Sequence, residues 1–199
     1  RFGMFVTMIA ASNETGTLQP WQQVNTLCRE HGIPFHTDAT QWIGKMPTTG
    51  LGGCDYVTGS GHKFGGPKGV GFLVMRDEDE ALGFLRGGPQ EEGRRAGTEN
   101  YPAVEAMVVA LETVSRDLMD VAAEQELLKG VFTTQIIQQL PGTSVLGAAF
   151  PSLWNTAMLV MPAHDQRKWL ARLSQQGFQV STGAACSSRS EGASTLLHS

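Results

Sequence analysis

The stretch "CDYVTGSGHKFGGPKGVGFLVMR" at residues 54–76 decides the fold, because it joins two strand-like runs through a glycine-rich loop. Residues 54–63 are predicted to form a strand that leads into the loop, and residues 69–76 to return as a hairpin or an edge strand. Two lysines, Lys63 and Lys68, lie among the five glycines of residues 60–76. Exposed lysines usually lie on polar faces, so a lysine in such a loop at the end of a strand requires an explanation.

The preceding residues alternate strands with a helix. "MFVTMIAA" (4–11) predicts a buried parallel strand and "NETGT" (13–17) a turn at its end. Apolar residues at helical spacing predict a helix over 19–32, and "IPFHTDA" (33–39) predicts a second strand. A strand–helix–strand succession of this kind predicts a right-handed α/β layer with a mostly parallel sheet.

A long helix follows a polar, glycine-rich loop. Asn100 is expected to cap a helix over about 101–129, and Gly130 to kink or pause it. Beyond it, the patterns predict a strand over 155–161, a helix over 164–176 and a strand over 178–182.

These elements predict two domains. Residues 1–115 are expected to belong to the α/β domain. Residues 116–199 are expected to form a smaller α+β domain.

Composition excludes several classes of protein. The chain is 41% hydrophobic and 17% charged, with a net charge of −4, which is typical of a soluble globular protein. No basic block points to nucleic acid, and no apolar run approaches the roughly 20 residues that span a bilayer. Three scattered cysteines favour a reducing, cytoplasmic compartment and no metal site. Because the chain begins with Arg1 directly before a strand-like run, we expect it to be a piece of a longer polypeptide.

The glycine loop does not match the common nucleotide and hydrolase motifs. The Walker A motif is absent, because it requires a lysine where Pro67 follows Gly66. The dinucleotide-binding motif GxGxxG is absent around Gly69–Gly71. "TGSGH" (58–62) misses the GxSxG nucleophile elbow by its first glycine.

Three polar side chains follow predicted strands. Asn13, Asp38 and Lys63 each come just past a strand's carboxyl end, where α/β sheets collect ligands. A lysine there can form a Schiff base with pyridoxal 5′-phosphate, a carboxylate can pair with the pyridine nitrogen, and hydroxyl or imidazole groups can hold the phosphate. Asp38 could equally cap a helix, and Asn13 could simply cap a turn.

Five motifs occur in one order along most of the chain: "NETGTLQP" (13–20), "FHTDATQWIGK" (35–45), "SGHKFGGPKGVGFLVMR" (60–76), "GGPQEEGRRAGTEN" (87–100) and "STGAACSS" (181–188). Together they resemble the class V aminotransferases, which are fold type I enzymes dependent on pyridoxal 5′-phosphate, and are most similar to the cysteine desulfurases. The resemblance implies that residues 1–115 are the later part of a cofactor-binding large domain.

The resemblance also implies a role for each matching residue. Lys63 would hold the cofactor and move a proton, and Lys68 would be structural. Cys186 would be the nucleophile that becomes a persulfide, although a lone cysteine is more often an inert buried thiol. Asp38 would bind the pyridine nitrogen, and Asn13 and Gln41 would approach the ring oxygen. Ser60 and His62 would bind the phosphate, and His62 would also be a catalytic residue. Thr98 would reach the phosphate in the partner subunit of a homodimer.

The implied reaction converts L-cysteine to L-alanine. The Cys186 thiolate attacks the substrate sulfur, and the sulfur then passes to an acceptor protein for iron–sulfur cluster assembly or another sulfur-transfer pathway. Two other functions stay open. The first is another class V enzyme, such as a selenocysteine lyase, a related carbon–sulfur or carbon–nitrogen lyase, or an aminotransferase. The second is a truncated, non-catalytic chain that acts as a partner-binding module.

Two departures from the family pattern bear on these alternatives. The phosphate-gripping Gly-Ala-Thr loop and the histidine that stacks on the cofactor ring, which precede these motifs in the family, do not occur in residues 1–199. His198 stands where the family usually has an arginine for the substrate carboxylate. Imidazole is the poorer clamp for a carboxylate, so His198 is expected to weaken substrate binding or to change the substrate.

Overall fold

A computed structural model describes residues 3–76, 85–161 and 165–183. Contacts divide these residues into two compact units. One comprises the described residues of 3–11 and 19–123, and the other those of 12–18 and 124–183. The domain boundary expected at residues 115 and 116 stays a prediction.

The first unit is built on a four-stranded sheet. Strands β1 (Val6–Ile9), β2 (Phe35–Asp38) and β3 (Tyr56–Ser60) are parallel neighbours, and β4 (Gly71–Val74) pairs antiparallel with β3. Helix α1 (Trp21–Glu30) connects β1 to β2. The predicted α/β fold with a mostly parallel sheet is confirmed, and so is the returning strand after the glycine loop.

Strand β1 is less buried than its sequence predicts. Its residues alternate between half-buried and exposed, and Ile9 is 43% exposed. Within the described residues β1 lies at an edge of the sheet, where only β2 pairs with it. The apolar core forms instead around the inner strands and α1, with Trp21 and Phe35 fully buried.

The long helical region contains a break, but not where the sequence predicts one. Helix α2 (Tyr101–Arg116) ends before Asp117, whose φ of −114° and ψ of 19° are not helical, and α3 (Leu118–Gln139) continues through Gly130. Just before the break, the Ser115 hydroxyl donates to the carbonyl of Leu111, a bond that tends to bend helices. A single glycine costs a helix only about 1 kcal/mol, which explains why α3 tolerates Gly130. The predicted cap is confirmed, because the Asn100 side chain accepts from the Ala103 amide at 3.3 Å.

The second unit contains a short antiparallel pair, β5 (Ser144–Val145) and β6 (Leu159–Val160), and helix α4 (Gln166–Gln175). Residues 12–18 join it through a bridge between Thr17 and Ser152. The strand expected over 178–182 is wrong, since these residues form no strand. None of the helices in the described ranges is long and apolar enough to cross a membrane.

Candidate active site

Two of the predicted site residues end neighbouring parallel strands. Asp38 is the last residue of β2 and lies opposite Thr58 of β3, and Ser60 ends β3 two residues further on. Lys63 follows in the 3₁₀ turn Gly61–Lys63. Because β2 and β3 are parallel, both carboxyl ends meet at one edge of the sheet, which is where α/β folds place ligands.

Asp38 and Ser60 also share one face of the sheet. Side chains two residues apart in a strand point the same way, so Ser60 is on the face of Thr58, which lies opposite Asp38. On this face His36 contacts the hydroxyl of Thr58 at 3.1 Å and that of Thr7 at 2.7 Å. The alternate residues, such as Thr37 and Val57, are buried on the other face. The face that carries Asp38 is therefore the half-exposed one, and it bears most of the polar side chains of these inner strands.

The Asp38 carboxylate is oriented by the chain that follows it. Its Oδ1 accepts a hydrogen bond from the backbone N–H of Thr40 at 2.8 Å, in the manner of a cap. Residues 40–45 form turns rather than a helix, so the helix cap considered from the sequence is wrong and the bond holds a turn instead. Since a carboxylate has two oxygens, this bond fixes the side chain and is compatible with a second partner.

Ser60 and His62 form a polar pair beside Lys63. The Ser60 hydroxyl lies 2.8 Å from Nδ1 of His62, the Ser60 residue is half-buried, and His62 is exposed. Hydroxyl and imidazole groups side by side can both hydrogen-bond an anion such as a phosphate. This pair has the chemistry that the sequence predicts for phosphate binding.

The two lysines of the glycine loop differ in exposure. Lys63 is half-buried and Lys68 is exposed. The carbonyl of Gly61 accepts from the amides of Phe64 at 3.1 Å and Gly66 at 2.9 Å, which closes the turn around Lys63. Lys63 is therefore the more buried of the two lysines, and it lies in a hydrogen-bonded turn.

Gly61 lets helix α2 reach this turn. A β-carbon on Gly61 would lie 3.0 Å from Cγ of Met107, which is buried. The side chain of Met107 thus packs directly on the residue that begins the turn.

The other predicted residues lie in varied surroundings. Gln41 is half-buried in the turn that follows β2, and Thr98 is exposed in the loop before α2. Asn13 is exposed in a turn that belongs to the second unit. Cys186 and His198 lie outside the described residues.

Lys45 is a residue whose role is not apparent from the sequence. It is only 6% exposed, and its Nζ donates to the backbone carbonyl of Lys63 at 3.2 Å. Burial, followed by the nearby charge of Lys63, lowers the pKa of Lys45 from 10.5 to about 8. Its position at the end of the motif "FHTDATQWIGK", after the apolar pair Trp42 and Ile43, is the signal that could have identified it.

The two cysteines in the described ranges are poor candidates for a nucleophile. Cys28 is buried in α1. Burial and the neighbouring Asp55 raise the pKa of Cys54 to about 11, against a smaller opposing effect of Arg29. A thiol with so high a pKa is almost entirely protonated at neutral pH and reacts slowly.

Comparison with known proteins agrees with this architecture. Residues 4–196 match the family described as aminotransferase class-V. The chain is 37% identical over 186 residues to a cysteine desulfurase of Enterobacter agglomerans, covering 93% of this chain and 46% of that protein. It is 34% identical over 188 residues to the putative cysteine desulfurase IscS 1 of Bacillus subtilis, covering 94% of this chain and 50% of that one. The chain thus spans about half the length of these curated relatives.

A solved structure gives the same result. A NifS-like protein superposes with a TM-score of 0.84 at 32% identity, covering 90% of this chain and 50% of that chain. With 90% of this chain covered, the match spans both units. The chain therefore belongs to the aminotransferase class-V family, and within that family it is similar to the cysteine desulfurases.

Proposed function

We propose that this chain is part of a cysteine desulfurase that depends on pyridoxal 5′-phosphate and converts L-cysteine to L-alanine. The observation that carries the proposal is the meeting of the β2 and β3 carboxyl ends, with Asp38 and Ser60 on one face and Lys63 in the next turn. The similarity to cysteine desulfurases of bacteria supports the reaction and the substrate.

The residues present fit the cofactor in type. It has an aldehyde for a lysine amine, a ring nitrogen for a carboxylate and a phosphate for hydroxyl and imidazole donors. A half-buried Lys63, an oriented Asp38 and the Ser60–His62 pair offer these groups. When bound, the cofactor supplies a covalent link to the substrate amine and a protonated ring that withdraws electrons from the substrate Cα.

Each residue then has a distinct task. Lys63 holds the cofactor at rest and carries the substrate Cα proton during turnover, because its amine is the base next to that carbon. Asp38 keeps the ring nitrogen protonated, Ser60 and His62 bind the phosphate, and we also count His62 as catalytic. The ring oxygen is assigned to Gln41 and Asn13.

The sulfur transfer requires a thiolate, which we assign to Cys186. Its attack forms an S–S bond and breaks the Cβ–S bond of the substrate. The electron pair of the broken bond stays on carbon, which takes up a proton to give alanine. No external oxidant is required, because the sulfur leaves without that electron pair. The raised pKa of Cys54 and the burial of Cys28 favour Cys186 among the three cysteines.

Two further assignments concern partners. The exposed Thr98 is proposed to reach the phosphate of a second subunit in a homodimer, and an acceptor protein is proposed to take the sulfur from Cys186 in the cytoplasm. The iron–sulfur cluster pathway is the proposed destination.

The direct test is incubation of the protein with pyridoxal 5′-phosphate and L-cysteine. The proposal predicts equimolar alanine and protein-bound persulfide in a single turnover, and no persulfide in Cys186→Ala. Sulfide release at the full rate from Cys186→Ala would instead favour another class V lyase. A protein that binds no cofactor would favour a non-catalytic partner-binding role.

A further inference from the structure

Lys45 is unusual because it is a lysine buried in the described part of the first unit. It lies in the turn after β2, where the amides of Lys45 and Met46 donate to the carbonyl of Trp42 at 3.0 and 2.9 Å. The turn leaves only 6% of Lys45 exposed. Its side chain and ammonium are therefore largely withdrawn from water.

This ammonium reaches the backbone of Lys63. The distance from Nζ of Lys45 to the carbonyl oxygen of Lys63 is 3.2 Å. The turns that carry the two lysines also pack together, since a β-carbon on Gly44 would lie 2.5 Å from Cβ of Phe64. Lys45 thus connects the segment after Asp38 to the segment that contains Lys63.

Packing alone does not explain a lysine here. Burial disfavours the ammonium, as the lowered pKa of about 8 indicates. A methionine has nearly the same shape and fills the same space without a charge that must be removed from water. What methionine cannot do is donate a hydrogen bond to a carbonyl.

We propose that Lys45 is a positioning residue for Lys63, whose buried ammonium holds the Lys63 carbonyl and so fixes the turn Gly61–Lys63 relative to Asp38. The inference deepens the proposed function, on which it rests. Lys45 acts through Lys63 and has no chemical step of its own.

The test compares the wild-type protein with Lys45→Met, and with Lys45→Leu as a second apolar variant in case the first folds poorly. Lys68→Met, in the same loop but exposed, is the matched control. The first readout, made without cofactor, is hydrogen exchange at the amides of Phe64 and Gly66, which close the turn. The second is the rate at which pyridoxal 5′-phosphate becomes attached to Lys63, trapped with borohydride and located by mass spectrometry.

In the Lys45 variants we expect hydrogen exchange at the amides of Phe64 and Gly66 to be about tenfold faster. We expect pyridoxal 5′-phosphate to attach to Lys63 about tenfold more slowly. Effects of this size are typical when one hydrogen bond from a charged donor is lost. Exchange in β2 and α1 should not change, the free energy of unfolding should not fall, and Lys68→Met should match the wild type.

Two results would overturn the inference. One is wild-type exchange and attachment in both apolar variants. The other is faster exchange spread evenly over the first unit, which would indicate a merely structural lysine. If the wild-type protein itself formed no adduct at Lys63, the proposed function would fail, while the exchange data would still decide whether Lys45 holds the turn.

Discussion

Gly44 and Phe64 approach so closely that a methyl group on Gly44 would lie 2.5 Å from Cβ of Phe64. Gly44 also has a φ of +75°, a conformation that residues with a β-carbon rarely adopt. The contact joins the turn after Asp38 to the turn that contains Lys63. The spacing of the two proposed cofactor-binding groups therefore depends on a glycine outside both.

Gly44→Ala should destabilise the protein by about 2–4 kcal/mol, because it adds a steric clash to the backbone strain. Gly32→Ala is the matched control, since Gly32 has a φ of +63° but nothing within 4 Å of its β-carbon position. It should cost only about 1–2 kcal/mol, from strain alone. Denaturant unfolding measures both, and equal losses would contradict the close contact.

Asp38→Asn should leave the fold intact but lower the activity roughly 10- to 1,000-fold at neutral pH. Asparagine keeps an oxygen for the Thr40 amide but loses the charge that would raise the pKa of the cofactor nitrogen by 1–3. The activity should recover as the pH is lowered, which a pH–rate profile would show.

Asp55→Asn is the control for that change. Asp55 accepts from the Phe35 amide at 2.8 Å and lies 3.5 Å from Arg76. Asp55→Asn should change the free energy of unfolding more than it changes the pH dependence of the activity. A similar pH profile in both variants would argue against a special role for Asp38.

Lys45 should make the folded protein more stable as the pH rises from about 8 to 10.5. In that interval the unfolded chain still holds the proton that the folded protein has released, so stability increases with pH, by at most about 3 kcal/mol. The raised pKa of Cys54 acts in the opposite direction between pH 9.0 and about 11, so the comparison must be with Lys45→Met, in which Cys54 is unchanged. The unfolding free energy of the wild-type protein minus that of Lys45→Met should rise across this interval, and a constant value would contradict the buried ammonium.

Cys54 should be alkylated slowly by iodoacetamide at pH 7.5, because its pKa of about 11 leaves almost no thiolate. Cys186 should be alkylated much faster if it is the nucleophile. Peptide mapping over time distinguishes the two sites. Equal rates would remove this argument for assigning the nucleophile to Cys186.

The sequence predicts the sheet and the ends of its strands well, because hydrophobic runs and glycine turns are local signals. The mostly parallel sheet and the position of Asp38 at a strand end both follow from such signals. The position of the break between α2 and α3 does not follow from such signals. The break is at Asp117, a residue that tends only weakly to end helices, whereas the stronger helix breaker Gly130 lies within α3.

Part of the site depends on contacts between distant segments. The Lys45–Lys63 bond spans eighteen positions, and the apolar Trp42 and Ile43 before Lys45 indicate burial nearby but not a bond to Lys63. The exposure of Ile9 likewise reflects its position opposite Asp38 on the half-exposed face of the sheet, which strand hydrophobicity cannot predict.

The most direct measurement is reduction of the protein with borohydride in the presence of pyridoxal 5′-phosphate, followed by peptide mass spectrometry. The account predicts one pyridoxyl adduct, on the amine of Lys63, and its loss in Lys63→Ala but not in Lys68→Ala. An adduct on Lys45 or Lys68 with Lys63 unmodified, or no adduct in a protein shown to be folded, would contradict it.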